Sequence, residues 1–323
     1  MAGFSRVAVI GAGLMGPGIA QVFAQSGFQV SLVSRSEDSL SRAKTKLQAN
    51  LDLFVACGRT THNAAQATSE RVTFGTNLGE GVADADFIVE TISEDLEAKR
   101  RLFAELGRLA TRSAVLATNT SGLAIRDIAR DAAEPERTLT AHFWNPPHLL
   151  PIVEVVGNDV TPPDTIDVTV ALLRQVGKEP VVLRRDVRGF IGNRLQYALL
   201  REALSLVQSG VASAEDVDQV VKRSFGRRLS TVGPLETCDL GGLDLAFHIS
   251  SYLFRDLDAS VDAPPILREH FERGELGAKT GRGLHDWPAN SAAETLRRRD
   301  AELLRWHLLD VDGQEPGNLR EAS

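Results

Sequence analysis

Short apolar runs alternate along the chain with stretches of helical period. Residues 6–10 form a β-branched apolar run, residues 14–26 repeat apolar positions at helical spacing, and residues 28–33 form a second run, which together predict a β-α-β unit. Further runs follow at 87–92 (FIVETI), 114–118 (AVLAT) and 138–143 (TLTAHF), with a helical stretch over 95–110 between the first two. A closing unit reads as a strand at 152–156, a helix near 164–176 and a strand at 180–183. Strands that alternate with helices predict a mostly parallel sheet, because parallel neighbours need a crossover connection and the crossover covers a face. After Arg188 and Gly189 the strand signals stop, and residues 190–210 and 213–223 read as helices. The expected organisation is therefore a doubly wound α/β domain over residues 1–188 and a mainly α-helical domain over residues 189–323. The last residues, DVDGQEPGNLREAS, have the composition of a disordered end.

Composition narrows the classes. Of 323 residues, 43% are hydrophobic and 24% charged, which fits a folded enzyme-like chain rather than a disordered one. The net charge of −7 gives no global attraction for a nucleic-acid backbone or an anionic membrane, so neither is an expected partner. Cys57 and Cys238 lack CxxC spacing and read as packed thiols in a reducing cytosol. The first residues enter a strand without the pattern of a signal peptide, and no segment reaches the roughly 18 uninterrupted apolar residues of a membrane span, so a cytoplasmic protein is expected. Arg297-Arg298-Arg299 is flanked by acids and reads as a solvated helix face. The histidines show no metal spacing, and no metal is expected.

GAGLMG places Gly11, Ala12, Gly13, Leu14, Met15 and Gly16 as GxGxxG between the first strand and the first helix. In that Rossmann-type context the first glycine permits a tight turn, the second lets backbone approach a pyrophosphate, and the third lets the helix pack close to the strand. An acid is expected at the end of the second strand to bind the adenosine ribose, and the chain has Ser34-Arg35-Ser36 there instead. A hydroxyl beside a guanidinium suits a 2′-phosphate, so NADP is open alongside NAD; alternatively Arg35 points to solvent while Glu37 or backbone groups satisfy the ribose.

Four polar residues interrupt apolar surroundings near strand ends or the domain junction: Ser121 in ATNTSGL, His142 in TAHFWNPP, Glu154 in PIVEVVG and Asn193 in GFIGNRLQ. Strand ends line the ligand crevice of an open α/β sheet. Oxidising a secondary alcohol needs a base for the hydroxyl proton, and a histidine oriented by a carboxylate suits that task. A serine and an asparagine can hydrogen-bond the oxygen where charge develops. Taken singly, His142 could be a satisfied buried histidine, Glu154 an edge-strand charge and Asn193 a helix cap.

Across nearly its whole length the chain resembles the 3-hydroxyacyl-CoA dehydrogenase family, through VIGAGLMGPGIAQVFAQSGFQV, ETISEDLEAKRRLF, NTSGLAI, HFWNPPHLLPIVEVV, GFIGNRLQYALLREAL and GAKTGRGLHDW in that order. The resemblance implies an NAD-binding first domain, a helical second domain that forms a homodimer, His142 as base, Glu154 as its orienting partner, and Ser121 and Asn193 as contacts of the substrate oxygen. It also implies that Glu94, Lys99, Ser121, Asn145 and Lys279 contact the cofactor, and that the substrate is an acyl-CoA or a hydroxy acid. NPPHLLPIVEVV, NRLQYALLREALSLVQSGVAS and VGPLETCDL resemble the λ-crystallin and L-gulonate 3-dehydrogenase branch, whose substrates are free hydroxy acids. GAKTGRGLHDW resembles the acyl-CoA branch, whose members bind CoA with a lysine-rich helix where this chain reads LDLFVACG. A dinucleotide-binding protein without catalysis is the alternative on the same fold, and the joint presence of Ser121, His142, Glu154 and Asn193 favours the enzyme.

Overall fold

The structure, a computed structural model, describes residues 4–311, and the expected disordered tail lies beyond residue 311, outside the described residues, apart from its first two positions. Eight strands form one sheet: β1 (Arg6–Ile10), β2 (Gln29–Val33), β3 (Val72–Gly75), β4 (Phe87–Glu90), β5 (Val115–Thr118), β6 (Thr138–Phe143), β7 (Ile152–Gly157) and β8 (Glu179–Val182). Their order is β3-β2-β1-β4-β5-β6-β7-β8. Every neighbouring pair is parallel except β6 and β7, which are antiparallel.

Alternation along the strands explains why this is a two-faced sheet. Val7 and Val9, Phe87 and Val89, Val115 and Ala117, Leu139, Ala141 and Phe143, and Val153 and Val155 all point to one core. Ala8 and Ile10, Ile88 and Leu116 point to the other. A strand covered on both faces reads as a continuous apolar run, as these do. The first face is packed by residues of the helices Gly16–Gln25, Glu37–Ala56 and Pro163–Gln175, and the second by residues of Leu96–Leu109 and Ile125–Ile128. Helix starts follow side-chain caps: Ser36, Thr61, Asn77 and Asp95 each accept a backbone N–H from the first turn. The first helix begins at Gly16 rather than at residue 14, because Leu14 and Met15 belong to the glycine loop.

The chain divides into two compact units between Arg194 and Leu195, inside the helix Gly192–Gln208. The segment before that division is held by the sheet, since Phe190 packs with Val156 and Leu183. The second unit is helical, with Ala214–Arg223, Pro234–Gly241, Leu243–Leu253, Pro265–Glu272 and Ser291–Val311 as its main helices. No helix among the described residues is long and apolar enough to cross a membrane.

Candidate active site

The glycine loop opens a cleft at the exit of β1. Gly11 has φ +120°, and a Cβ there would stand 2.7 Å from the Thr91 carbonyl oxygen, so no other residue fits. A Cβ at Gly16 would meet the Gly11 carbonyl oxygen at 2.0 Å, which is how the helix packs so close to the turn. Gly13 instead has nothing within 4 Å of its would-be Cβ. Open space at Gly13, in front of a helix whose N-cap Met15 makes no side-chain cap, leaves backbone N–H groups for a pyrophosphate. The cleft has a volume of about 550 Å³ and is lined by Gly11, Ala12, Gly13, Ser34, Arg35 and Arg101. Leu14 is exposed, whereas the Met15 side chain is half-buried and packs against the sheet core.

Ser34 is committed to its own chain. Ser39 Oγ donates to the Ser36 carbonyl at 2.8 Å, so in the 2.7 Å contact between the two hydroxyls Ser34 is the donor. Its lone pairs are left to accept, which suits a ribose hydroxyl better than a phosphate oxygen. Arg35 is exposed.

At the exit of β4 a carboxylate that pattern reading passed over organises the floor of the site. Glu90 is fully buried, accepts from Ile92 N–H at 2.6 Å and Lys99 Nζ at 2.7 Å through Oε1, and from Thr118 Oγ1 at 2.6 Å through Oε2. Lys99 is therefore not a surface contact for a dinucleotide. Its side chain is 1% exposed and its ammonium is held between Glu90 and, at 3.4 Å, Glu94. Glu94 in turn accepts from Thr120 Oγ1 and from Ser121 N–H, so the lysine positions the acid that is exposed.

The strand reversal at β7 builds the remainder. β6 and β7 pair so that His142 and Glu154 are direct register partners, and directly opposed side chains share one face. His142 Nδ1 lies 2.8 Å from Glu154 Oε2, with both side chains buried. The other oxygen, Oε1, accepts the N–H groups of Ile191 at 2.8 Å and Gly192 at 3.0 Å. Those donors are aimed by two successive left-handed residues, Gly189 at φ +75° and Phe190 at φ +50°, an uncommon conformation for a bulky side chain that marks a segment held by its surroundings. Burial pushes the Glu154 pKa up, but the hydrogen bonds from His142, Gly192 and Ile191 outweigh it and hold the carboxyl below its ordinary range. An ionised Glu154 only accepts, so His142 carries its proton on Nδ1 and presents Nε2 as an acceptor.

Asn193 follows Gly192 directly and donates from Nδ2 to the Ser121 carbonyl at 2.9 Å. Ser121, His142, Glu154 and Asn193 thus belong to one hydrogen-bonded constellation through the turn at 189–193. Ser121 Oγ is left without a partner among the described residues. Asn145 is exposed at the exit of β6, before a cis bond to Pro146. Lys279 lies in the second unit, in the turn closed by the Gly277–Arg282 bridge. Trp144, whose indole Nε1 donates to Glu154 Oε2 at 3.3 Å, was hidden in the sequence because a tryptophan after an apolar strand reads as packing. Glu90 had the signal that revealed Glu154, an acid inside an otherwise apolar run.

Residues 6–187 match the family model described as 3-hydroxyacyl-CoA dehydrogenase, NAD binding domain, and residues 189–287 match the corresponding C-terminal domain. The 5-formyl-3-hydroxy-2-methylpyridine 4-carboxylate 5-dehydrogenase of Mesorhizobium japonicum is 34% identical over 86% of this chain and 89% of its own. The crystal structure of a dehydrogenase of that activity, an NAD+-dependent dismutase, superposes with a TM-score of 0.90 at 32% identity, covering 97% of this chain and all of that one. L-carnitine dehydrogenase of Streptomyces griseus is 36% identical over 98% of this chain and 93% of its own. 3-Hydroxybutyryl-CoA dehydrogenase of Mycobacterium tuberculosis is 34% identical over 87% of this chain and 98% of its own.

Proposed function

Because the chain belongs to the 3-hydroxyacyl-CoA dehydrogenase family, we propose that it transfers a hydride between NAD and C3 of a 3-hydroxyacyl-CoA or a related 3-hydroxy acid. The observation that carries the reading is the buried His142–Glu154 pair with Nε2 left as an acceptor. NAD, when bound, supplies the acceptor for the hydride. Gly11, Ala12, Gly13 and Gly16 hold its pyrophosphate, Ser34 accepts from its ribose, and Glu94 and Asn145 contribute further contacts. In the direction of oxidation His142 Nε2 takes the hydroxyl proton as the C3–H electron pair leaves, and Glu154 stabilises the resulting imidazolium. Ser121 Oγ and the Asn193 amide hold the oxygen as its charge changes. In reduction the same proton returns to the oxygen. Residues 1–188 serve the dinucleotide, residues 189–323 serve substrate binding and dimerisation, and the setting is the cytoplasm, where the two free thiols stay reduced.

A free hydroxy acid as substrate is favoured by one observation. The end of the helix Glu37–Ala56, where acyl-CoA members are lysine-rich, buries Leu51 in the core and Phe54 beside the His148 ring, and exposes Asp52 and Leu53. Residues 51–58 themselves offer no cation to a CoA phosphate.

The test is NADH absorbance with a panel of 3-hydroxyacyl-CoA thioesters and free 3-hydroxy acids, on wild type and His142→Gln. Turnover in wild type and a loss of about 10²-fold or more in His142→Gln, with NADH affinity within twofold, is expected for removal of a general base. Wild type inert on the whole panel, or His142→Gln as active as wild type, overturns the reading.

A further inference from the structure

Two backbone N–H groups and His142 already hold Glu154, yet a fourth donor reaches it. Trp144 Nε1 shares Oε2 with His142 Nδ1, at 3.3 and 2.8 Å. Two independent features put the indole there. His142 and Trp144 are two residues apart at the end of β6, and their rings lie 5.3 Å apart, inclined at 56°. Gly192 supplies the second feature: a Cβ at that position would stand 2.1 Å from Cζ2 of Trp144, so the indole occupies the volume any other residue there would fill. On its other side the imidazole meets Phe190, with ring centroids 5.5 Å apart.

We propose that Trp144 is a positioning residue of the proton-transfer site: by sharing Oε2 it limits how strongly Glu154 holds the proton of His142, and Gly192 is the position that admits it. Each lone pair of a buried carboxylate that accepts from a neutral donor is less available to a neighbouring cation. Without the indole N–H, Oε2 is left to His142 alone, the imidazolium is favoured, and the pair takes up its proton at higher pH. The groups that act on the pair are few. β6 contributes His142, β7 contributes Glu154, and the turn at 189–192 contributes N–H groups and the Phe190 ring. The buried cation Lys178, just before β8, is engaged by the carbonyls of Pro147 and Leu150 in the connection between β6 and β7.

The consequence for catalysis rests on the dehydrogenase reading, but the test needs no substrate. The histidine ring resonances of the full chain are titrated by NMR, and the His142 signal is identified by its absence in His142→Gln. Trp144→Phe, which keeps a ring and removes the donor, is expected to raise the midpoint by about half a pH unit or more. Gly192→Ala, which expels the indole, is expected to do the same. The double variant is expected to match Trp144→Phe alone, because the shorter ring leaves room for the new methyl group. A midpoint in Trp144→Phe within about 0.2 of a pH unit of wild type overturns the proposal. Shifts that simply add in the double variant overturn the part assigned to Gly192. Should the midpoint move while no substrate in the panel turns over, the dehydrogenase reading fails and the placement of Trp144 stands.

Discussion

At the scale of single residues, cofactor choice turns on one hydroxyl. Ser34 spends its proton on Ser39, leaving an acceptor towards the cleft, while Arg35 stands exposed beside it. The acceptor favours the ribose diol of NAD. The guanidinium offers a 2′-phosphate one charge-assisted contact, weakened by solvent and salt. NAD is therefore expected to be used, with NADP accepted at lower efficiency. Ser34→Asp adds repulsion against the phosphate and a second acceptor for the ribose, and should widen the ratio of kcat/KM for NAD over NADP by about 10- to 100-fold, the equivalent of roughly 1.5 to 3 kcal/mol. Steady-state kinetics with both cofactors in both proteins checks this, and an unchanged ratio would mean that Ser34 does not face the ribose.

At the scale of elements, the connection between β6 and β7 decides whether the base and its partner meet. Lys178 is buried just before β8 and donates to the Pro147 and Leu150 carbonyls at 2.7 and 2.9 Å, pinning that connection from below. Burial pushes its ammonium down to about 8 from an ordinary 10.5. Between those values the unfolded chain binds more protons than the folded one, so this group's contribution to stability rises with pH across the window, by about 3 kcal/mol in all. Below pH 8 its cost is constant. Urea midpoints of wild type and Lys178→Met at pH 7, 8.5 and 10 isolate the effect, since other titrations cancel in the difference. Wild type is expected to gain on the variant as pH rises, and a difference independent of pH would refute the assignment.

The same elements show what pattern reading can reach. Arg6–Ile10 is read to its end because a buried parallel strand is a nearly unbroken apolar run, and Thr138–Phe143 because Leu139, Ala141 and Phe143 alternate strictly with polar positions. β3 escapes: VTFG is four residues long with one fully buried position, which leaves too little pattern. The polar residues of the site are legible for the converse reason, that Glu154 and His142 interrupt runs otherwise apolar. Their pairing is not, since parallel and antiparallel neighbours carry the same alternation and nothing local announces that β7 reverses. The donors at Ile191 and Gly192 are backbone groups, and backbone has no letter in a sequence.

At the scale of the whole molecule, the second unit by itself leaves much apolar surface in water. The helices Ala214–Arg223, Pro234–Gly241, Leu243–Leu253 and Pro265–Glu272 contain no buried residue. Leu235 is 80% exposed and Phe247 68%. Surface of that kind marks an interface, and a second copy of the chain is the occupant we propose. Light scattering at micromolar concentration should give twice the chain mass for wild type and a single chain mass for Phe247→Glu. A monomeric wild type would remove the proposal.

The antiparallel register of β6 and β7 has one more consequence, for how the protein can vary. Val153 and Val155, on either side of Glu154, are fully buried on the opposite face of the sheet. A slip of one residue would carry Glu154 into that apolar core and turn both valines towards His142. Loss of the dyad and loss of the core are then one event, with no graded state between them. Any change of length that preserves a stable sheet must therefore preserve the register of the pair as well, and a single-residue insertion inside either strand is eliminated as a folding defect before it can be tested as a catalytic one.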